Sequence, residues 1–199
     1  MHPTQTLPEN YVLAWDMNMK RDKRLNIILQ IIGLVWMVLA GWLLASLLTW
    51  MRPDFNDAVR TGISGNLLIG LLLILAVMAI AIGFHELVHG FLFWFFARHR
   101  PEFGIGPGYA FAAMPDWYFP KGQYLVVGLG PLVGLTILGL IFSAFAPVTW
   151  LVLVFAGVVI NAGGAIGDLY VCWRIAREAD NVWVKDIGDG FQVYRRRVE

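Results

Sequence analysis

The chain has 199 residues, of which 58% are hydrophobic and 15% are charged, and its formal net charge is +1. So little polar surface cannot cover a water-soluble globule of this size, and the balanced charge argues against a nucleic-acid partner. The single cysteine, Cys172, excludes an intrachain disulfide bond and a zinc site built from cysteines.

Four apolar stretches are long enough to cross the ~30 Å hydrocarbon core of a bilayer, which takes about 20 helical residues. They cover residues 25–50, 67–97, 124–145 and 148–173. The sequence therefore predicts an all-α membrane protein in which segment 1–24 precedes a four-helix transmembrane domain, 25–173, and a tail, 174–199, follows it.

Lysine and arginine residues concentrate on one side of these predicted spans. Four lie in segment 1–24, three in connection 98–123 and six in the tail, whereas connection 51–66 has two. Because cytoplasmic connections carry the excess of Lys and Arg, we expect both termini in the cytoplasm. The expected location is the cell membrane, with the lipid bilayer as a partner.

Two segments outside the spans have the pattern of short β-hairpins. In connection 98–123, residues 103–105 and 109–112 flank the turn Gly106-Pro107-Gly108. In the tail, alternating residues at 182–184 and 191–194 flank a Gly- and Asp-containing turn. We expect the first hairpin at the cytoplasmic interface of the membrane and the second in the cytosol.

The second predicted span contains the sequence His-Glu-Leu-Val-His at residues 85–89. On a helix, His85 and His89 lie one turn apart on one face, so both imidazoles can bind one Zn²⁺. Glu86, offset by ~100°, can take a proton from a zinc-bound water, whose pKa the metal lowers to about 7. This pattern predicts amide hydrolysis with one zinc ion per chain.

The position of this motif inside a span strengthens the functional interpretation. An ionisable residue at membrane depth costs about 2.5–3.5 kcal/mol to insert, so such residues are usually functional or paired. The alternative is that the three side chains only form hydrogen bonds with neighbouring helices.

A catalytic zinc ion usually has three protein ligands, and Asp168 is the only other acidic residue within a predicted span. Counted from Arg98 and Arg174 at the cytoplasmic ends, His89 lies about 13 Å deep and Asp168 about 9 Å deep. Near the end of a helix a carboxylate opposes the helix dipole, so Asp168 needs a cation nearby. The alternative is a salt bridge to Arg98 or Arg174.

Three further features surround these candidates. Asn161 lies two turns before Asp168 on about the same helix face and is a candidate substrate-binding residue, although a hydrogen bond across helices is an equal alternative. The small residues around Gly130-Pro131 predict a surface packed against the motif helix, with no catalytic role. Cys172 is expected to be a small buried hydrophobic residue rather than a ligand.

Three segments carry a resemblance to a known family: FHELVHG (84–90), QYLVVGLGPLVG (123–134) and NAGGAIGDLY (161–170). They resemble the small four-span putative zincin peptidases, and the broader pattern is similar to the site-2-protease class of intramembrane zinc metalloproteases. The likeness covers most of residues 60–195. It implies zinc ligation by His85, His89 and Asp168, with Glu86 as the catalytic base. The chain departs from site-2 proteases at Asp168, which usually stands in a Leu-Asp-Gly triplet, and at Gly134, where an Asn is usual.

These observations predict an intramembrane zinc metalloprotease that hydrolyses a peptide bond of a membrane-associated protein or peptide near the cytoplasmic face. One alternative is a metal-binding membrane protein without hydrolysis, acting as a zinc transporter, sensor or scaffold. The presence of a single cluster of ionisable residues, with no second site along a path, weighs against transport. A four-helix membrane protein that binds no metal is the third interpretation.

Overall fold

The structure is a computed structural model that describes residues 1–18, 20–63, 66–106 and 109–197. Helices make up most of these residues: α1 Lys23–Met51, α2 Phe55–Ile63, α3 Leu67–Ala97, α4 Lys121–Phe145, α5 Val148–Gly164 and α6 Ile166–Ala176. The strands are β1 Tyr11–Asn18, β2 Glu102–Gly106, β3 Tyr109–Ala113, β4 Tyr118–Pro120, β5 Trp183–Asp186 and β6 Gly190–Arg196.

Helices α1, α3 and α4 are each long and apolar enough to cross a membrane, and α5 with α6 adds a fourth span if that bent pair is counted as one. In α3 the five consecutive residues 71–75 are all leucine or isoleucine and are each at least 45% exposed. Consecutive helical residues point in different directions, so no single protein neighbour can cover them. This pattern is compatible with a multi-pass membrane protein whose helices contact lipid.

The prediction of one continuous helix over 148–173 is wrong, because the helix is interrupted at Ala165. Helix α5 ends at Gly164, α6 begins at Ile166, and their axes differ by 44°. The break follows Gly163-Gly164, and glycine is a poor helix former because it has the most backbone entropy to lose. Asp168 consequently lies in the first turn of α6, instead of near the end of a long helix.

Three elements outside the spans were not predicted, and the short strand β4 in connection 98–123 is one of them. Connection 51–66 contains helix α2, with Asp57 in its first turn and Arg60 in its last, the arrangement that the helix dipole favours. Segment 1–24 contains strand β1, which pairs with β6 of the tail in an antiparallel register.

The described chain forms two compact units, and the boundaries between them along the sequence fall within α1, α3, α4 and α6. The sheet unit comprises Met1–Gln30, Glu86–Pro131 and Gly167–Glu199, and the helical unit comprises Ile31–His85 and Leu132–Ile166.

In the sheet unit, four antiparallel strands pair in the order β1-β6-β5-β4, and β2 with β3 forms a separate two-stranded sheet. Both predicted hairpins are confirmed: β2 pairs with β3, and β5 pairs with β6. Pro107 and Gly108, two residues of the first predicted turn, lie outside the described residues. The core of this unit joins α3, α4, α6 and the large sheet through fully buried side chains: Phe93, Phe119, Val127, Ile175, Val182, Val184 and Val193.

In the helical unit, a second core forms where α1, α2 and α5 meet the end of α4. Its buried members are Leu48, Phe55, Ala58, Ala146 and Leu151. Beside it, the Arg52 guanidinium donates to the carbonyl oxygens of Ser143 and Ala146, each at 3.0 Å, and pairs with the Asp54 carboxylate at 2.7 Å. Arg52 therefore satisfies carbonyls at the C-terminal end of α4, which have no donor within the helix.

Candidate metal centre

Helix α3 carries His85, Glu86 and His89 in an uninterrupted helical segment. Both histidines are buried, whereas Glu86 is partly exposed. The four-residue spacing places the two imidazoles one turn apart on the same face, as the sequence predicts.

His89 is held by a backbone carbonyl of α4. Its Nδ1 lies 3.0 Å from the carbonyl oxygen of Val127, and a carbonyl can only accept, so Nδ1 carries a proton and donates. In the neutral ring the lone pair is then on Nε2, the atom that can bind a metal. This Nε2 lies 3.5 Å from Oδ2 of Asp168.

His85 is held in the same way by a side chain of α5. Its Nδ1 lies 2.9 Å from the amide oxygen of Asn161, which accepts, so the lone pair of the neutral ring is again on Nε2. For Asn161 the sequence predicts either a contact with substrate or a hydrogen bond between helices, and this contact is such a hydrogen bond. Binding of substrate by Asn161 stays a prediction.

Asp168 stands at the beginning of α6, where the sequence analysis had placed it near the end of a helix. The expectation that its carboxylate opposes a helix dipole is therefore wrong: in the first turn of α6 the dipole favours a negative charge. The carboxylate is stabilised by its own helix and still faces His89.

The structure brings the three predicted ligands together. One ligand atom each from His85, His89 and Asp168 all lie within 4.8 Å of one another. Two imidazole nitrogens and one carboxylate oxygen form a donor set typical of catalytic zinc. Each imidazole is also oriented through Nδ1, as ligating histidines are in zinc sites. The residues present therefore fit a zinc ion.

Comparison with known protein families matches residues 77–183, more than half of the chain, to the family described as putative zincin peptidase. This chain belongs to that family. Comparison with curated proteins finds no match, and neither does comparison with solved structures. Membership in the putative zincin peptidase family indicates a metallopeptidase and implies zinc as its metal.

The zincin peptidase segment also contains a histidine and two arginines whose side chains contact aromatic rings. The ring of His99 lies 4.8 Å from that of Trp117 and is exposed. The guanidinium of Arg98 stacks on Trp94, and that of Arg174 on Trp15. The salt-bridge partners that the sequence suggested for Asp168 thus have aromatic neighbours of their own.

Cys172 is buried, and its Sγ lies 2.4 Å from the point that a Cβ atom on Gly128 would occupy. The thiol therefore fills the space left by a glycine between α6 and α4. This packing agrees with the expectation of a small buried hydrophobic residue.

A partly buried polar pair, Tyr124 and Asp186, was not predicted from the sequence. The hydroxyl of Tyr124 in α4 donates to Oδ2 of Asp186 at 2.7 Å, and the Gly188 N–H donates to Oδ1 at 2.9 Å. Burial raises the pKa of the Asp186 carboxyl to about 6; these two hydrogen bonds and His89 oppose the rise, while the charge of Asp168 adds to it. Asp186 is thus within electrostatic reach of two of the predicted ligands. Its position in a tail strand gave no signal in the sequence.

The β2–β3 hairpin lies against the motif helix. A Cβ atom on Gly90, the residue after His89, would lie 2.3 Å from Cζ of Phe103, so the aromatic ring of β2 packs directly on the α3 backbone. At the other end of the hairpin, the Tyr109 hydroxyl donates to Asp189 at 2.5 Å. These contacts fix the hairpin beside the histidine motif.

Proposed function

We propose that this protein is an intramembrane zinc metalloprotease that hydrolyses a peptide bond of a membrane-associated protein or peptide near the cytoplasmic face. The observation that carries the proposal is the convergence of His85, His89 and Asp168, with Glu86 beside His85, in a family of zincin peptidases. The helices that hold these residues are apolar enough to lie within a bilayer.

In this mechanism His85, His89 and Asp168 would hold one zinc ion, with two imidazole nitrogens and one carboxylate oxygen as the available donors. When bound, the zinc ion supplies Lewis acidity, which polarises the scissile carbonyl and makes water a stronger acid. The dipole of α6 and the hydrogen bonds at both Nδ1 atoms keep the three ligands in place before metal or substrate arrives.

Glu86 is the proton carrier. Its carboxylate takes a proton from the attacking water, whose oxygen forms the new bond to the carbonyl carbon. When the C–N bond breaks, Glu86 delivers that proton to the leaving nitrogen, so that one water is consumed for each bond cleaved. Its partial exposure is suited to contact with incoming water.

The substrate must present an extended segment, because the amides of an intact helix are engaged in its own hydrogen bonds. The β2–β3 hairpin can hold such a segment as an added strand, since strand addition satisfies the backbone of the guest. Its seat on Gly90 next to His89 supports this role. We place the site on the cytoplasmic side and both termini in the cytoplasm, on the basis of the distribution of Lys and Arg.

The test uses purified protein in detergent and a pool of synthetic apolar helical peptides, with cleavage detected by mass spectrometry and zinc by elemental analysis. We expect the wild type to carry about one zinc per chain and to cleave. Glu86→Gln should keep the metal and lose cleavage, since the amide cannot accept the proton.

Glu9→Gln is the matched control, because Glu9 is an exposed glutamate outside the hairpin and the predicted spans, and we expect it to cleave like the wild type. Equal cleavage by wild type and Glu86→Gln contradicts the mechanism. A wild type that binds zinc and cleaves nothing in the pool would favour the metal-binding alternative.

A further inference from the structure

We propose that Pro131 is a positioning residue for the metal centre, because it keeps the carbonyl group of Val127 available to His89. The inference rests on the proposed function, since the centre that it serves is the one proposed above. From the sequence alone, the Gly130-Pro131 pair is expected only to pack against the motif helix.

Pro131 interrupts the regular hydrogen bonds of α4. In α4 the N–H of each residue donates to the carbonyl four residues earlier, so residue 131 is the helical donor for Val127. Proline has no N–H, and Pro131 lies inside α4. The Val127 carbonyl is therefore released from the regular pattern of its own helix.

That carbonyl is the one that His89 uses. The distance from Nδ1 of His89 to the carbonyl oxygen of Val127 is 3.0 Å, and both residues are buried, with 8% and 1% of their surface exposed. Such a carbonyl has little access to water, and leaving it unsatisfied would be costly. The imidazole and the carbonyl thus satisfy each other.

Gly130, the residue before Pro131, allows the helix that carries His89 to lie close to the Val127 carbonyl. A Cβ atom on Gly130 would lie 2.2 Å from Cδ1 of Leu92 and 3.7 Å from Cγ1 of Val88, so α3 packs on the bare backbone of α4 at this point. Val88 and Leu92 flank His89 on α3. Gly130 therefore permits the approach of the histidine helix, and Pro131 provides the acceptor.

The consequence concerns the affinity for metal. Partners that orient a ligating histidine typically affect metal affinity by about 10–100-fold when they are removed. In Pro131→Ala the new N–H can donate to Val127 and compete with His89, so the ring loses its fixed orientation and proton position.

The decisive comparison is between two variants of residue 131 that differ only in the backbone group, which is an amide N–H in one and an ester oxygen in the other. Pro131→Ala restores the N–H, whereas replacement of Pro131 by lactic acid through nonsense suppression places an ester oxygen there, with the same methyl side chain. Gly134→Ala is the control for a methyl group added to α4, since nothing lies within 4 Å of its Cβ position.

Two measurements are made on the full-length protein in detergent. The first is zinc affinity by competition with a chromophoric chelator. We expect a loss of about tenfold or more in Pro131→Ala, and near wild-type affinity in the lactic acid variant and in Gly134→Ala. The second is the signal of the His89 Nδ1 proton in metal-free, ¹⁵N-histidine-labelled protein. We expect its exchange with solvent to be at least about tenfold faster in Pro131→Ala alone, since its hydrogen bond is weakened.

Equal behaviour of the alanine and lactic acid variants in the exchange measurement overturns the inference, whether both match the wild type or both differ from it. The exchange measurement needs no metal, so it separates two failures. A wild type that binds no zinc but shows the expected difference in exchange contradicts the proposed function and leaves the role of Pro131 standing.

Discussion

Asn161 accepts a hydrogen bond from Nδ1 of His85 at 2.9 Å, and both side chains are buried. The amide oxygen thereby selects the ring form of His85 whose Nε2 carries the lone pair. Asn161, which lies inside an apolar helix, therefore orients the ring of His85, in addition to any contact with substrate.

The first prediction concerns this contact. Asn161→Leu keeps approximately the same volume but removes the acceptor, and we expect zinc affinity to fall by about 10–100-fold. Asn161→Asp keeps an acceptor oxygen and should bind zinc at least as well as the wild type. Chelator competition measures both, and wild-type affinity in Asn161→Leu would show that this hydrogen bond does not orient the ligand.

The second prediction concerns the three ligands themselves. Elemental analysis of His85→Ala, His89→Ala and Asp168→Ala should find zinc at background level, because each variant leaves two protein ligands for a metal that uses three. His99→Ala and Cys172→Ser are the controls and should retain about one zinc per chain. Retention of zinc in Asp168→Ala would mean that the third ligand is another residue.

The third prediction tests the packing of α4 on α6. Gly→Ala inside a helix usually stabilises by about 0.5–1 kcal/mol, but at Gly128 the added methyl would lie 2.4 Å from Sγ of Cys172. Overpacking costs about 1–3 kcal/mol, so we expect Gly128→Ala to be destabilised by about 1 kcal/mol in thermal unfolding. The double variant Gly128→Ala/Cys172→Ala should recover the lost thermal stability. Gly134→Ala should be as stable as the wild type.

The fourth prediction concerns Asp186, whose pKa of about 6 is above the value of about 3.9 in an unfolded chain. Since the folded state holds this proton more tightly, the associated stability is present below pH ~4 and is lost as the pH rises through about 6. Metal-free protein should therefore be about 1 kcal/mol more stable at pH 5 than at pH 7.5 through this group alone.

Asp186→Asn removes the titrating group, so the difference in stability between the two pH values should shrink by that amount. Substitution of the exposed Asp116 by Asn is the control. Chelator-treated protein is used because a bound cation near Asp168 and His89 would favour the charged carboxylate and lower the pKa of Asp186. An unchanged pH dependence in Asp186→Asn would contradict the assignment.

The parts of this protein that the sequence predicts well depend on local patterns. The three long helices follow from the length of the apolar runs, and the positions of His85 and His89 follow from a spacing of four within one of them. Both hairpins follow from alternation around Gly-containing turns. In each case neighbouring residues alone determine the outcome.

The parts that were missed are an interruption within an apolar run and contacts between distant residues. The break at Ala165 turns Asp168 from the end of one helix into the start of another, which reverses the sign of the local dipole. The apolar residues on both sides of Ala165 form one run, so the sequence predicts one continuous helix there. Likewise, the pairing of Val127 with His89 and of Tyr124 with Asp186 joins segments that are far apart in sequence, so no local pattern reveals it.

Strand β1, near the start of the chain, pairs along its length with β6, near the other end, and β6 also pairs with β5. During synthesis β1 leaves the ribosome long before its partner exists, and pairing between such distant strands is slow to form. The sheet that carries Asp186 and packs against α3, α4 and α6 can close only after β6 has been made. The strand that completes this sheet is therefore translated after the helices that carry His85, His89 and Asp168.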